Sequence, residues 1–285
     1  MLRSWRERFD AFAAKKIEAA LAAPIPRYET EVDRPGAGMD AIGNEWTRAR
    51  FDGPFYLSPW RHERPACSLV FVQSADGNTG ARRPSDLGGG STDLHLIFEG
   101  LSRAAADAVL SGAETIRGSG TVFSVWHPEL VRLRASLGLP RHPVQIVATL
   151  RGLELERTLL FNLPELRVIV LTVADAAGRM RASLSARPWV TSIVMADRSD
   201  LRTAFAQLPS LGVRRVSCIG GRHFATSLVR AGLLDEVYLT TAARPGGEPD
   251  TPLAAAMLSG DVVVRKHGTG DEAGVRFEHR LVSSQ

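Results

Sequence analysis

From Ser4 to Leu21 the apolar residues Trp5, Phe9, Phe12, Ala13, Ile17, Ala20 and Leu21 recur at helical spacing and predict an amphipathic helix. Pro24 and Pro26 end it, because proline lacks an amide donor and clashes with the preceding turn. Residues 24–65 are rich in Pro, Gly and charge and hold no sustained period, which predicts an arm that wraps the main domain or a partner subunit. The expected division is residues 1–64, a helix with an extended arm, and residues 65–285, the main domain.

Past Pro65 the pattern alternates. Strand-like runs at 67–73, 107–111, 144–149, 167–172, 190–195, 213–219 and 235–241 are separated by helical patterns at 91–105, 128–137, 174–185, 199–208 and 222–231. Such alternation argues for an α/β fold with a largely parallel sheet covered on both faces. Two further alternating runs, 261–267 and 275–282, face each other across Gly268 to Gly274 and read as a C-terminal antiparallel hairpin. Ser91, after Gly88-Gly89-Gly90, reads as the cap of the helix that follows.

Composition narrows the function. At 285 residues and 44% hydrophobic, the chain has enough apolar residues for a full core. The 35 basic and 31 acidic residues are interspersed, so no basic face for nucleic acid is expected. Cys67 and Cys218 sit in apolar runs and read as packing residues, and no Cys or His cluster has metal-ligand spacing. No run approaches the roughly 20 apolar residues needed to cross a bilayer, and charges in the first ten residues disfavour a signal peptide. A cytoplasmic location is the resulting expectation.

Three stretches carry candidate chemistry. Ser74-Ala75-Asp76-Gly77 follows the first strand of the main domain, and Asp-Gly is a turn signal. Asp107 to Arg117 runs from a short strand through Gly112 into a helical turn, a junction at which open α/β sheets bind ligands. Val213 to Glu236 places Gly220-Gly221 between a strand and a helix, where bare amides and the helix dipole suit a pyrophosphate. G-x-G-x-x-G is absent, which argues against an ordinary Rossmann domain.

In order, S-x-D-G, D-A-V-L-S-G-A-E-T-I-R, and I-G-G followed by L-V-R-A-G-L-L-D-E-V-Y-L-T resemble the C-terminal reductase domain of bacterial bifunctional deaminase-reductases of riboflavin biosynthesis, within the dihydrofolate reductase superfamily. The resemblance runs from about Pro65 to Val282; residues 1–64 have no counterpart, and the deaminase zinc motif is absent. It implies a three-layer dihydrofolate-reductase-like fold, an NADPH cofactor, a small heterocyclic substrate of pyrimidine or pterin type, and a homodimer.

The resemblance also implies roles. Gly220 and Gly221 hold the pyrophosphate, with Arg222, His223 and Phe224 as neighbours; Gly112, Ala113 and Thr115 lie by the nicotinamide ribose; Thr149, Arg151 and Thr172 are candidates for the adenosine 2′-phosphate. Substrate lies near Ser74, Asp76 and Asn78, with Asp76 orienting a polar edge or relaying a proton. Val70 and Gly118-Ser119-Gly120 depart from the family's lysine and acidic turn, so Arg82, Arg83 or Arg117 is expected to substitute, or the substrate to be less anionic. The alternatives are a dihydropterin or dihydrofolate reductase, and a nucleotide-binding protein of the same fold without catalysis.

Overall fold

In the computed structural model, which describes residues 4–81, 83–117 and 121–283, the alternating runs form strands and helices at the expected places. In chain order the strands are β1 (Tyr28–Asp33), β2 (Asp40–Ile42), β3 (Phe55–Leu57), β4 (Ala66–Gln73), β5 (Asn78–Gly80), β6 (Ala108–Gly112), β7 (Val144–Ala148), β8 (Val168–Val173), β9 (Val190–Met195), β10 (Arg215–Cys218), β11 (Glu236–Thr241), β12 (Glu248–Pro252), β13 (Val262–Gly268) and β14 (Arg276–Leu281). β11, β4, β10, β6, β7, β8 and β9 lie in that spatial order and run parallel. β14, β13 and β1 extend the sheet antiparallel beyond β11, so the C-terminal hairpin is present as expected.

Side-chain alternation along the strands builds a core on each face. Cys67, Leu69, Leu110, Ile146 and Leu171 pack against the helices Leu201–Gln207 and Arg222–Arg230. On the other face Val70, Tyr238 and Phe277 lie beneath the helical run 90–104, while Val147, Val168 and Val170 lie beneath Ala174–Ser185 and the N-terminal helix. Both cysteines are buried and unbonded, and burial pushes their thiols upward, that of Cys218 to about 12, which suits packing and not nucleophilic work.

The N-terminal helix, Trp5–Ala22, starts with a reciprocal cap: Glu7 N donates to Ser4 Oγ at 3.2 Å and Ser4 N to Glu7 Oε2 at 2.7 Å. Phe12 meets Trp126 edge-on at 5.4 Å, and Lys16 Nζ donates to Glu99 Oε1 at 2.5 Å, seating the helix on its own chain. The arm holds more regular structure than its pattern predicts. β1 pairs with β13, β2 pairs with β3, and Glu45–Phe51 is a helix capped by Asn44. β1 reads Tyr-Glu-Thr-Glu-Val-Asp with only Tyr28 buried, so its charges look like loop while its backbone closes a sheet edge.

The run 90–104 is a helix whose middle, Asp93–Leu101, is π-helical. Such wide turns occur in α-helices chiefly at functional sites. Its last carbonyls, those of Arg103 and Ala104, accept from buried Arg134 Nη1 at 2.9 and 3.3 Å, as does that of Ala106 just beyond it at 2.6 Å. Its start differs from expectation. Gly89 takes the cap position, Ser91 lies in the first turn, and Thr92 N donates to Glu272 Oε1 at 3.0 Å. A Cβ at Gly90 would lie 2.5 Å from Glu272 Oε1, so glycine there admits a distant carboxylate that displaces the local serine cap.

Phe51 ties the arm to the main core: fully buried, it stacks on Phe55 at 3.8 Å and meets Phe277 of β14 edge-on at 5.2 Å. Phe51→Ala is expected to cost about 3–5 kcal/mol. Urea unfolding followed by both far-ultraviolet circular dichroism and tryptophan fluorescence should show one earlier transition, whereas a separate arm transition with an unchanged main one would contradict the shared core.

Candidate active site

The carboxyl ends of β4, β10, β6, β7 and β8 lie side by side, and the expected cofactor residues fall along them. After β10, Gly221 is the N-cap of helix Arg222–Arg230. The amides of Gly221, Arg222 and His223 have no acceptor among the described residues. A Cβ at Gly221 would meet nothing within 4 Å, so the space above this first turn is open. Gly220 is required for packing instead, since a Cβ there would lie 2.8 Å from Phe224 Cδ1. Next along the edge, Gly112 ends β6 and caps the short turn Ala113–Ile116, again with nothing within 4 Å of a Cβ. Ala113 is buried in that turn and Thr115 exposed on it. Ser111 Oγ is fully buried without a partner among the described residues. Bare amides, an open glycine edge and an orphaned hydroxyl fit an extended diphosphate-bearing ligand.

Beyond β7, the Thr149 hydroxyl accepts from Arg151 N at 3.3 Å and donates to Gly152 O at 3.2 Å. Thr149 and Thr172 are buried, and the charges that face outward beside them are Arg151 and Arg179, with Arg179 Nη2 3.4 Å from Arg151 O. Arg117 also turns this way, Nη2 reaching Gly152 O at 3.5 Å while Nη1 pairs with Glu114 at 2.7 Å. It therefore lies on the β7 side of the edge, away from Ser74. Arg83 is held by Asp86 on an exposed turn, and Arg82 and Gly118-Ser119-Gly120 lie outside the described residues. Val70 is buried in the core beneath run 90–104.

At the end of β4, Ser74 Oγ donates to Asp76 Oδ1 at 2.5 Å and accepts from Asn78 N at 3.1 Å. Gly246 N donates to Asp76 at 3.3 Å and Thr251 N to Asn78 Oδ1 at 3.2 Å, binding this turn to the loop leading into β12. Arg222 stands 4.0 Å from Glu248 of β12. The Ser74 hydroxyl bond holds the exposed Asp76 carboxyl below its usual range. Asp76 is thus ionised at neutral pH, able to orient a donor but carrying no proton to give.

The acid nearby whose value is raised toward neutrality is Asp93, which sequence reading missed. It sits in the first turn of run 90–104, where an acid reads simply as a partner for the helix dipole. Its Cβ and β4 Val72 crowd the same spot, both within 3.1 Å of a Cβ placed on Gly89. Thr240, opposite Val72 on β11, lies on the neighbouring strand with its hydroxyl unpaired among the described residues. Burial, with Glu272 adding to it, pushes the Asp93 carboxyl up to about 6. Tyr28 from the arm, deeply buried, is shifted up by burial and by these same two carboxyls. No His, Cys, Asp and Glu grouping suited to a metal occurs among the described residues, and no helix among them is long and apolar enough to cross a membrane.

In a mostly parallel open α/β sheet the carboxyl ends of the strands are where ligands bind. Residues 65–255 match the model of the RibD C-terminal domain, and the chain belongs to that family of riboflavin-biosynthesis reductases. Among solved structures, a pyrimidine reductase-like protein of Corynebacterium diphtheriae is similar at 20% identity and TM-score 0.57, over 78% of this chain and 93% of that one. RibD of Acinetobacter baumannii is similar at 20% identity and TM-score 0.58, over 77% of this chain but only 58% of that longer one. The riboflavin biosynthesis reductase of Saccharomyces cerevisiae shares the fold at 15% identity and TM-score 0.53, over 79% and 93%. No curated protein matches significantly in sequence.

The raised Asp93 carboxyl makes folding pH-dependent. Its folded value lies above its unfolded one, so its contribution is fully present below about 4 and is lost as pH rises through about 6. Asp93→Asn should therefore gain relative to the native chain by about 2 kcal/mol between pH 4 and pH 7.5, allowing for partial exposure. Denaturant midpoints at the two pH values check this; a constant difference would place the Asp93 carboxyl in ordinary solvent.

Proposed function

We propose that the protein is an NADPH-dependent reductase of a pyrimidine or pterin-like heterocycle. The observation that carries this reading is the continuous open edge from Gly221 through Gly112 to the Arg151–Arg179 pair, ending at Asp93 on the opposite side. Gly220 and Gly221 and the first turn of helix Arg222–Arg230 would hold the pyrophosphate, and Gly112, Ala113 and Thr115 the nicotinamide ribose. Leu150, nearly half exposed, offers apolar surface to the adenine, and Arg151 with Arg179 offers charge to the 2′-phosphate, backed by Thr149 and Thr172. NADPH supplies hydride when bound. Asp93, its carboxyl raised toward neutrality, relays the proton that reduction of a C=N or C=O bond requires, while Ser74, Asp76 and Asn78 present fixed polar groups to the substrate edge.

Val70 in the core leaves no cation at the family's lysine position, and Arg117 faces the cofactor side. A substrate less anionic than the phosphorylated riboflavin intermediate fits this better, since an unpaired charge in a closed site is costly. The cytoplasm, where NADPH is available, is the proposed location. The arm's aromatic side chains pack on their own chain, so the proposed homodimer would use other surfaces.

NADPH should bind at least about tenfold more tightly than NADH, a charge-assisted contact being worth roughly 1.5–3 kcal/mol. Replacing both Arg151 and Arg179 with Ala should remove most of that preference in a fluorescence titration; equal affinities in the native chain would contradict the 2′-phosphate assignment. Gly221→Val should weaken both cofactors alike by filling the open cradle. Asp93→Asn should lower kcat by about 10²-fold or more with NADPH affinity intact. Absorbance of NADPH across a panel of pyrimidines and pterins tests the reaction, and no oxidation with any of them would favour the non-catalytic reading.

A further inference from the structure

A cavity of about 730 Å³ is lined by the arm, the start of run 90–104 and the segment between β13 and β14. Its volume lies in the range of small-molecule sites. Most of the lining comes from residues 21–50 and from Asp271 and Glu272, outside the family-matched region 65–255, and no residue of the cofactor edge lines it. Part of the lining is apolar: Leu21, 60% exposed, with Pro24 and Ile25. Trp46, half-buried, and His127 are stacked at 4.2 Å with their planes 24° apart, and both line the cavity.

Two N–H donors on this lining are unspent. His127 Nδ1 accepts from Glu129 N at 3.3 Å, capping helix Pro128–Ser136, so the ring proton sits on Nε2. That nitrogen has no partner among the described residues and is not enclosed by them. Burial, with His95, Arg132 and Arg50 acting the same way against Glu129, holds the imidazole below its usual range and keeps it a neutral donor. Arg50, half-buried, donates from Nη1 to Ile25 O at 3.0 Å. Its Nε and Nη2 are open and unbonded, and no carboxylate among the described residues pairs with the guanidinium. The two acids of the lining are otherwise placed: Glu272 Oε1 accepts from Thr92 N, and Asp271 is exposed, where water screens it.

We propose that this cavity binds a small aromatic monocarboxylate, its carboxylate on Arg50 and His127 Nε2 and its ring against Trp46, Leu21 and Ile25. A half-buried guanidinium with free N–H groups favours a planar carboxylate, which can take two of them at once. One cation beside Asp271 suits a single negative charge and disfavours a dianion. Apolar side chains around an indole suit a flat ring, which buries much area at little entropic cost. The site is independent of the reductase reading, since it shares no residue with the cofactor edge or the Ser74 turn.

Titration calorimetry of the full chain with benzoate, benzamide, benzamidine and acetate tests this without relying on turnover. Benzoate should bind about tenfold or more tighter than benzamide, which keeps the ring without the charge, and than acetate, which keeps the charge without the ring. Arg50→Gln retains an N–H for Ile25 O and should weaken benzoate about tenfold or more. His127→Asn retains an N-cap acceptor, so it should weaken benzoate severalfold with the melting temperature nearly unchanged. Saturating NADPH should leave benzoate affinity as it is. Benzamidine binding as well as benzoate, either variant binding benzoate like the native chain, no binding of benzoate, or its displacement by NADPH would each overturn the proposal. NADPH affinity measured in the same samples keeps that failure distinct from failure of the reductase reading.

Discussion

All seven parallel strands end on one side of the sheet, and every strand-to-helix junction there starts a helix whose first amides have no carbonyl to bond. That geometric constraint organises the rest. The opposite ends of the strands are tied together by side chains, whereas the amides of Gly221, Arg222 and His223 on this edge are left to solvent or a ligand. Gly112 and Gly221, at two of its strand-to-helix junctions, leave open space where a Cβ would stand.

The sequence motifs divide along the same line. At the amino ends of the strands, Asp107 accepts from the amides of Arg214 and Arg215 at 2.8 Å, joining β6 to β10. Asp235 takes both guanidinium nitrogens of Arg64 at 2.7 Å and the Cys67 amide at 2.8 Å, joining β11 to β4. The aspartates of D-A-V-L-S-G and L-D-E-V-Y are therefore architectural, and the glycines that follow strands β6 and β10 face the open edge. Charge-assisted bonds to backbone amides fix the register without placing a charge in the cleft.

Fold was legible because hydrophobic period and length survive in single elements: strands β4 to β11 of the main sheet and their helices fell within a few residues of expectation. What escaped was long-range. β1 was hidden because an edge strand with one buried residue has no alternation to show. Ser91 was displaced as a cap by Glu272, which accepts from Thr92, 180 positions away from it in sequence. For the site, the glycines were readable from strand–turn–helix order, but Asp93, Glu272, Tyr28 and Arg179 gain their meaning from neighbours brought by distant elements. Arg117, named from its place at the end of the segment after Gly112, turns toward Gly152 on the β7 side.

The central claim is that the open carboxyl edge is where cofactor binds. Hydrogen–deuterium exchange with and without saturating NADPH measures this directly, because bound phosphate and ribose should slow exchange of amides that have no protein acceptor. Protection concentrated in 219–225, 111–117 and 149–153, with the β1–β13 edge unchanged, is the predicted pattern. Protection confined to the arm, or none along the edge despite saturation, would contradict it.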